Sequence, residues 1–319
     1  MLNRREALAV AAGTLMHGEA TFAKAPQPGT PVSFNVPPNA CDCHTHIFGD
    51  PARFPLWPGR TYTPEMALPE EMAALHRALH IDRVVIVTPS IYGTDNSTTV
   101  YGIKARGAQA RGVAVIDEKT PENDLDVLDR AGIRGVRLNL ATAGPTDRRA
   151  GRMQFRTAMD RIRKRGWHIQ IYASLAVVAG IKDLMQDSAV PVVFDHFGGA
   201  QAALGLAQPG FAELVELIRS GKAYVKISGA YRASTHTPDY ADVAPLARAL
   251  IAANADRILW GTDWPHPNAA KPPGSRPTDL TPLLQIDDGC LLNQLAVWAP
   301  KPAIRHKILV ANPAELYRF

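Results

Sequence analysis

The chain has 319 residues, 46% of them hydrophobic, and carries 35 Lys and Arg against 30 Asp and Glu for a formal charge of +5. That is enough apolar material for one large core, while the positive charge is too modest and too scattered for a nucleic-acid surface. Three cysteines, Cys41, Cys43 and Cys290, exclude a disulfide framework.

The N-terminal 25 residues read as an export signal. Arg4 and Arg5 stand just ahead of an apolar run at 7–16, and small residues follow at 20–25. This is the layout of a twin-arginine signal, and it implies a periplasmic mature protein. The apolar run is too short to span a bilayer, so cleavage is expected and no membrane anchor afterwards. The Pro-rich residues 26–39 read as a linker or arm, and 40–319 as one catalytic domain.

Eight apolar, β-branched segments follow, at 40–47, 82–88, 111–116, 133–139, 167–173, 190–195, 222–228 and 257–262. They are apolar on both faces, as strands of a buried parallel sheet should be. Helical periodicity lies between them, for example at Phe211, Leu214, Val215 and Ile218. Eight alternations predict an α/β fold of the (β/α)8 TIM barrel type. No Gly-rich phosphate loop follows an early strand, which argues against a nucleotide cofactor. The Pro-rich stretch 265–282 reads as a loop over the barrel mouth.

The first strand contains Cys-Asp-Cys-His-Thr-His. Strict alternation puts Asp42, His44 and His46 on one face and turns Cys41 and Cys43 towards the helices. Reacting groups in such a barrel sit at the C-terminal ends of strands. That rule collects His44 and His46, Arg137 and Asn139, Tyr172, Asp195 and His196, Lys226, Ser228 and Arg232, and Asp263 and His266. Asp195 alternates away from His196 and reads as a structural hydrogen-bonding group. Lys226 reads as a buried charge with a partner or as a substrate anchor. His76, His80, His168 and His236 fit helix surfaces, a strand start and a loop.

The motifs Asp-x-His-x-His at 42–46, Val-Phe-Asp-His-Phe-Gly at 193–198 and Trp-Gly-Thr-Asp-Trp-Pro-His-Pro at 260–267 resemble the amidohydrolase superfamily, amidohydrolase family 2. More narrowly, they resemble the branch of 2-pyrone-4,6-dicarboxylate lactonase, sulfomuconolactone hydrolase and galactarolactone isomerase. Matching stretches at 92–96, 111–117, 132–139 and 312–317 extend the resemblance over residues 35–319.

The resemblance implies a small anionic lactone as substrate, Asp263 as general base on a water, and His44, His46 and His196 polarising the carbonyl or contributing to a metal site. Ester hydrolysis needs such a set in any case: a base beside water, and donors where the carbonyl oxygen gains charge. Arg137 and Arg232 are candidates to hold substrate anions, because guanidinium forks match carboxylate and sulfonate groups. Tyr92, Asn96, Tyr172 and His266 are candidate pocket liners.

Arg137 and Asn139 stand where many superfamily members carry a carbamylated lysine, and Tyr172 where many carry a metal-binding histidine. A binuclear centre is therefore not expected, and no cofactor is favoured. The alternative is a single zinc on His44, His46, His196 and Asp263. A sugar-acid lactone isomerase and a zinc-dependent decarboxylase of an aromatic acid are the competing activities. A homo-oligomer is compatible with the sequence, which carries no clear mark of one.

Overall fold

A computed structural model describes residues 25–141, 148–268 and 274–319. Eight parallel strands follow one another in sequence order: β1 (Cys41–Thr45), β2 (Arg83–Val87), β3 (Ala110–Ala114), β4 (Ile133–Asn139), β5 (His168–Tyr172), β6 (Val192–Phe194), β7 (Ala223–Ser228) and β8 (Ile258–Gly261). Each overlaps its predicted segment, and only β3 begins a residue early. The barrel closes where the Asp263 N–H donates to the His44 carbonyl and the His46 N–H to the Trp264 carbonyl, both at 2.8 Å.

The helices α1 (Pro69–Leu79), α2 (Ser97–Arg106), α3 (Glu122–Arg130), α4 (Arg148–Ile162), α5 (Leu175–Gln186), α6 (Phe211–Arg219), α7 (Ala244–Ala253) and α8 (Asp288–Trp298) form the outer layer. Two short helices, α9 (Pro302–His306) and α10 (Asn312–Tyr317), end the chain. Most apolar side chains pack between strands and helices. A second, inner core fills the barrel with Val85, Val87, Val113, Val193, Tyr224 and Leu259, and Leu316 and Tyr317 of α10 plug it.

Cys41 and Cys43 belong to that inner core rather than to the helix-facing layer. The register of β1 against β2 shifts between Asp42 and Thr45. Such a bulge breaks the two-residue alternation and re-aims side chains. Asp42 consequently faces outward, 3.3 Å from His76 Nε2 of α1, while its carboxylate accepts the Thr262 hydroxyl at 2.6 Å. His44 turns inward. His76, expected on a helix surface, is fully buried by the same contact.

Residues 25–33 lie as an arm across α1 and α8. The Ala25 N–H donates to Glu71 at 3.0 Å, the Thr30 hydroxyl to Asp287 at 2.6 Å, and the Ser33 N–H to Asn293 at 2.7 Å. The predicted export signal lies outside the described residues apart from Ala25. At the mouth, Leu280–Thr281 pairs with Thr63–Pro64 and ties the loop after β8 to the loop after β1.

Candidate active site

His44 and His46 leave β1 on the inward side of the bulge. Asp263 follows β8 with φ +68°, and His196 follows β6 with φ +48°. These left-handed backbones are costly for residues with a side chain and are tolerated where the surroundings fix them. Gly229, at φ +56°, permits the arrangement: a Cβ there would stand 3.2 Å from both Asp263 Oδ2 and His196 Nδ1.

Four groups then converge. Asp263 Oδ1 lies 3.6 Å from His44 Nε2, 3.5 Å from His46 Nε2 and 3.8 Å from His196 Nε2. Its other oxygen accepts from the Tyr231 hydroxyl at 2.6 Å and from Arg232 Nε. Burial alone would raise the Asp263 pKa, but Arg232 and the neighbouring imidazoles outweigh it and hold the carboxyl well below the usual range. Burial keeps His196 neutral, with its pKa pushed down to about 4.

The partners of the two β1 histidines set the orientation of their rings. His46 Nδ1 is 2.7 Å from the Val87 carbonyl, which can only accept, so Nδ1 holds a proton and Nε2 is the nitrogen that faces Asp263. His44 Nδ1 meets the Asp195 carboxylate at 3.2 Å and the Lys226 ammonium at 3.3 Å. His44 Nε2 and Asp263 Oδ1 are buried without a hydrogen-bond partner. Two buried polar atoms left without partners and facing one another call for a proton, a water or a cation between them.

Two donors at a tetrahedral zinc stand about 3.4 Å apart. The observed spacings to Asp263 are slightly wider; His44, His46 and Asp263 are close enough together to hold a single divalent cation, and His196 stands furthest from Asp263, at 3.8 Å. Metal-capable clusters among the described residues include His44, His46 and Asp263, and also His44, Asp195 and His196.

Beneath the site runs a fully buried polar layer. Lys226 donates to Gln170 Oε1 at 2.6 Å and lies 3.4 Å from Asp195 Oδ1; Gln170 donates to Asp195 Oδ2 at 3.0 Å. Asp195 therefore points into the barrel beneath the pocket. Burial acts to raise its pKa, but contact with His44 and the positive charges of Lys226 and Arg137 outweigh it and hold the carboxyl well below the usual range. The expected partner of Lys226 is present, as a buried ammonium requires.

Above the histidines a cavity of 80 Å³ opens, lined by His46, His196, Arg137, Tyr172 and Arg232 together with Tyr62, Ser90 and Asn139. The Arg137 guanidinium stacks 5.5 Å above the Tyr172 ring. Tyr62, Ser90 and Tyr231 were not on the sequence-derived set. Ser90 could have been found, because it follows β2 at the C-terminal end of the barrel. Tyr231 adjoins Arg232, and Tyr62 carries no local signal.

Three expected liners do not line this cavity. Asn96 clamps the β2 and β3 loops, accepting from the Thr88 hydroxyl and the Val115 N–H, both at 2.8 Å. The Tyr92 hydroxyl accepts the Gly49 N–H at 3.0 Å and props the loop after β1. His266 is fully buried, 2.9 Å from Asp288, and meets the Tyr231 ring edge-on. Asn96 and Tyr92 are taken up by framework contacts, as is His266 Nε2, while His266 Nδ1 is buried without a hydrogen-bond partner.

Residues 41–319 match the family model described as Amidohydrolase. The chain belongs to the amidohydrolase family. Among curated amidohydrolase relatives it is 35% identical to 4-sulfomuconolactone hydrolase of Rhizobium radiobacter, over 90% of this chain and 92% of that one. It is 34% identical to the 2-pyrone-4,6-dicarboxylate hydrolase of Comamonas testosteroni, over 89% and 92%. It is 30% identical to D-galactarolactone isomerase of Agrobacterium fabrum, over 91% and 94%. A crystal structure from Agrobacterium tumefaciens superposes with a TM-score of 0.76 at 28% identity, covering 92% of this chain and 98% of that one.

Proposed function

We propose that this amidohydrolase hydrolyses the ester bond of a small anionic lactone, in the periplasm after twin-arginine export. The observation that carries the reaction is the division of labour on Asp263: one oxygen is held by Arg232 and Tyr231, and the other is left free among three imidazoles. A water in that space would give its proton to Oδ1 while its oxygen attacks the lactone carbonyl carbon. The carbonyl oxygen gains charge beside the imidazoles and the guanidinium groups of the pocket. Collapse breaks the ring C–O bond, and the proton on Asp263 passes to the departing oxygen. The product is an open-chain acid with a free hydroxyl or enol.

A divalent cation bound by His44, His46, His196 and Asp263 would supply Lewis-acid polarisation of the same carbonyl. Arg137 and Arg232 match a substrate carboxylate or sulfonate, and the names of the two hydrolase relatives support an anionic lactone. Lactone isomerisation is the second reading, favoured by the likeness to the isomerase.

The test is pH-indicator hydrolysis of pyrone dicarboxylate, muconolactone, sulfomuconolactone and aldonolactones, with and without chelator. Net acid release that falls about 10³-fold in Asp263→Asn supports hydrolysis. Loss of activity with chelator assigns the metal route. Substrate consumption without acid release assigns isomerisation, and no turnover of any lactone removes the proposal.

A further inference from the structure

Outside the inner cavity lies a second chamber of 400 Å³ that shares Ser90, Arg137 and Asn139 with it. The inner space is five times smaller, so an extended substrate would pass Arg137 and Asn139 into the larger one. Asn139 Oδ1 is buried at this junction with no hydrogen-bond partner.

The chamber is also lined by Trp57, Gly93, Thr94 and Asp117. Trp57 is 49% exposed, unusual for so large an apolar side chain. Its backbone N–H donates to the Ile91 carbonyl at 2.8 Å, and its backbone carbonyl accepts the Arg60 N–H at 3.1 Å, which ties down the main chain that carries the indole. Gly59 and Gly93 flank the indole so closely that a Cβ would lie 2.5 Å and 3.0 Å from its ring atoms. An aromatic face that is held rigid and left open is a stacking platform at low entropic cost.

The remaining groups decide what stacks there. Thr94, Asp117 and Asn139 are hydrogen-bonding groups around one aromatic face. Thr94 and Asp117 are exposed, and Asp117 already accepts from the Thr120 hydroxyl and the Lys119 N–H, so the buried acceptor that a purely aromatic ring would leave unpaired is Asn139 Oδ1, while a second anion would meet the Asp117 carboxylate. A ring with an apolar C–H face and equatorial hydroxyls satisfies both the indole and the polar rim. We propose that the outer chamber is a subsite for a neutral polyhydroxylated ring attached to the lactone, with Trp57 as its platform, an assignment that rests on the lactone reading of the inner site.

The experiment compares two acids that share one open-chain unit and differ by a single sugar ring. Gluconate and cellobionate are titrated into the full protein by calorimetry, and into Trp57→Ala and Trp57→Phe. Cellobionate is expected to bind about tenfold tighter than gluconate. Trp57→Ala should erase that advantage with gluconate unchanged, and Trp57→Phe should restore part of it. Equal binding of the two acids, an advantage that survives Trp57→Ala, or no binding of either acid overturns the subsite. Turnover of glucono-1,5-lactone and cellobiono-1,5-lactone is measured in parallel. A binding advantage without turnover of any lactone would count against hydrolysis and leave the subsite standing.

Discussion

Arg232 and Tyr231 donate to the same oxygen of Asp263, so the carboxylate is anchored on one side and open on the other. Arg232→Met removes the counter-charge of a fully buried carboxylate. The expected result is a loss of about 3 kcal/mol in stability, read from urea unfolding, together with a large fall in kcat. A variant as stable and as active as the parent would show that the anchor is dispensable.

Gly229→Ala probes the close approach of three elements. Its left-handed backbone costs about 1–2 kcal/mol for alanine, and the new methyl group pushes on Asp263 and His196. Activity should fall at least tenfold while circular dichroism shows the barrel intact. Unchanged kinetics would mean that the carboxylate and imidazole tolerate displacement.

His168 lies on the barrel floor, edge-on to Tyr317, with its pKa pushed down to about 3 by burial and then by the charge of Lys226. Its folded pKa is below the unfolded value, so the unfolded chain binds more protons between these limits. Stability should therefore be full above about pH 6.5 and fall as the pH drops towards 3. His168→Leu should lose less between pH 7 and pH 4.5 than the parent, measured by urea midpoints at both. An identical loss would remove this histidine from the acid response.

Replacing Arg4 and Arg5 by lysine tests export. The full-length parent should appear in the periplasmic fraction of a bacterial host with a twin-arginine pathway, and the double variant should stay in the cytoplasm. Parent protein confined to the cytoplasm would end the export assignment and leave the chemistry untouched.

The strands were legible because Val and Ile runs such as 84–87 are apolar on both faces, the pattern of a buried parallel sheet. His44, His46, His196 and Asp263 were legible because each falls at or just beyond a strand end. The facing of β1 was not, since one bulge reverses an alternation that reads normally in sequence. Tyr92, Asn96 and His266 lie close to the right motifs, but loops need polar clamps too, and side-chain chemistry alone does not separate a clamp from a liner. Tyr62 reaches the pocket only because distant loops pair at Thr63–Pro64 and Leu280–Thr281, a contact with no local signature.

Trp264, the residue directly after the proposed base, donates its indole N–H to the Pro26 carbonyl at 2.8 Å. The start of the barrel's arm and its chemical centre are thus mechanically linked through a single side chain. Trimming or tagging that removes the Pro26 carbonyl would take away this anchor of the residue next to Asp263, so kcat is expected to depend on where the N-terminus is placed.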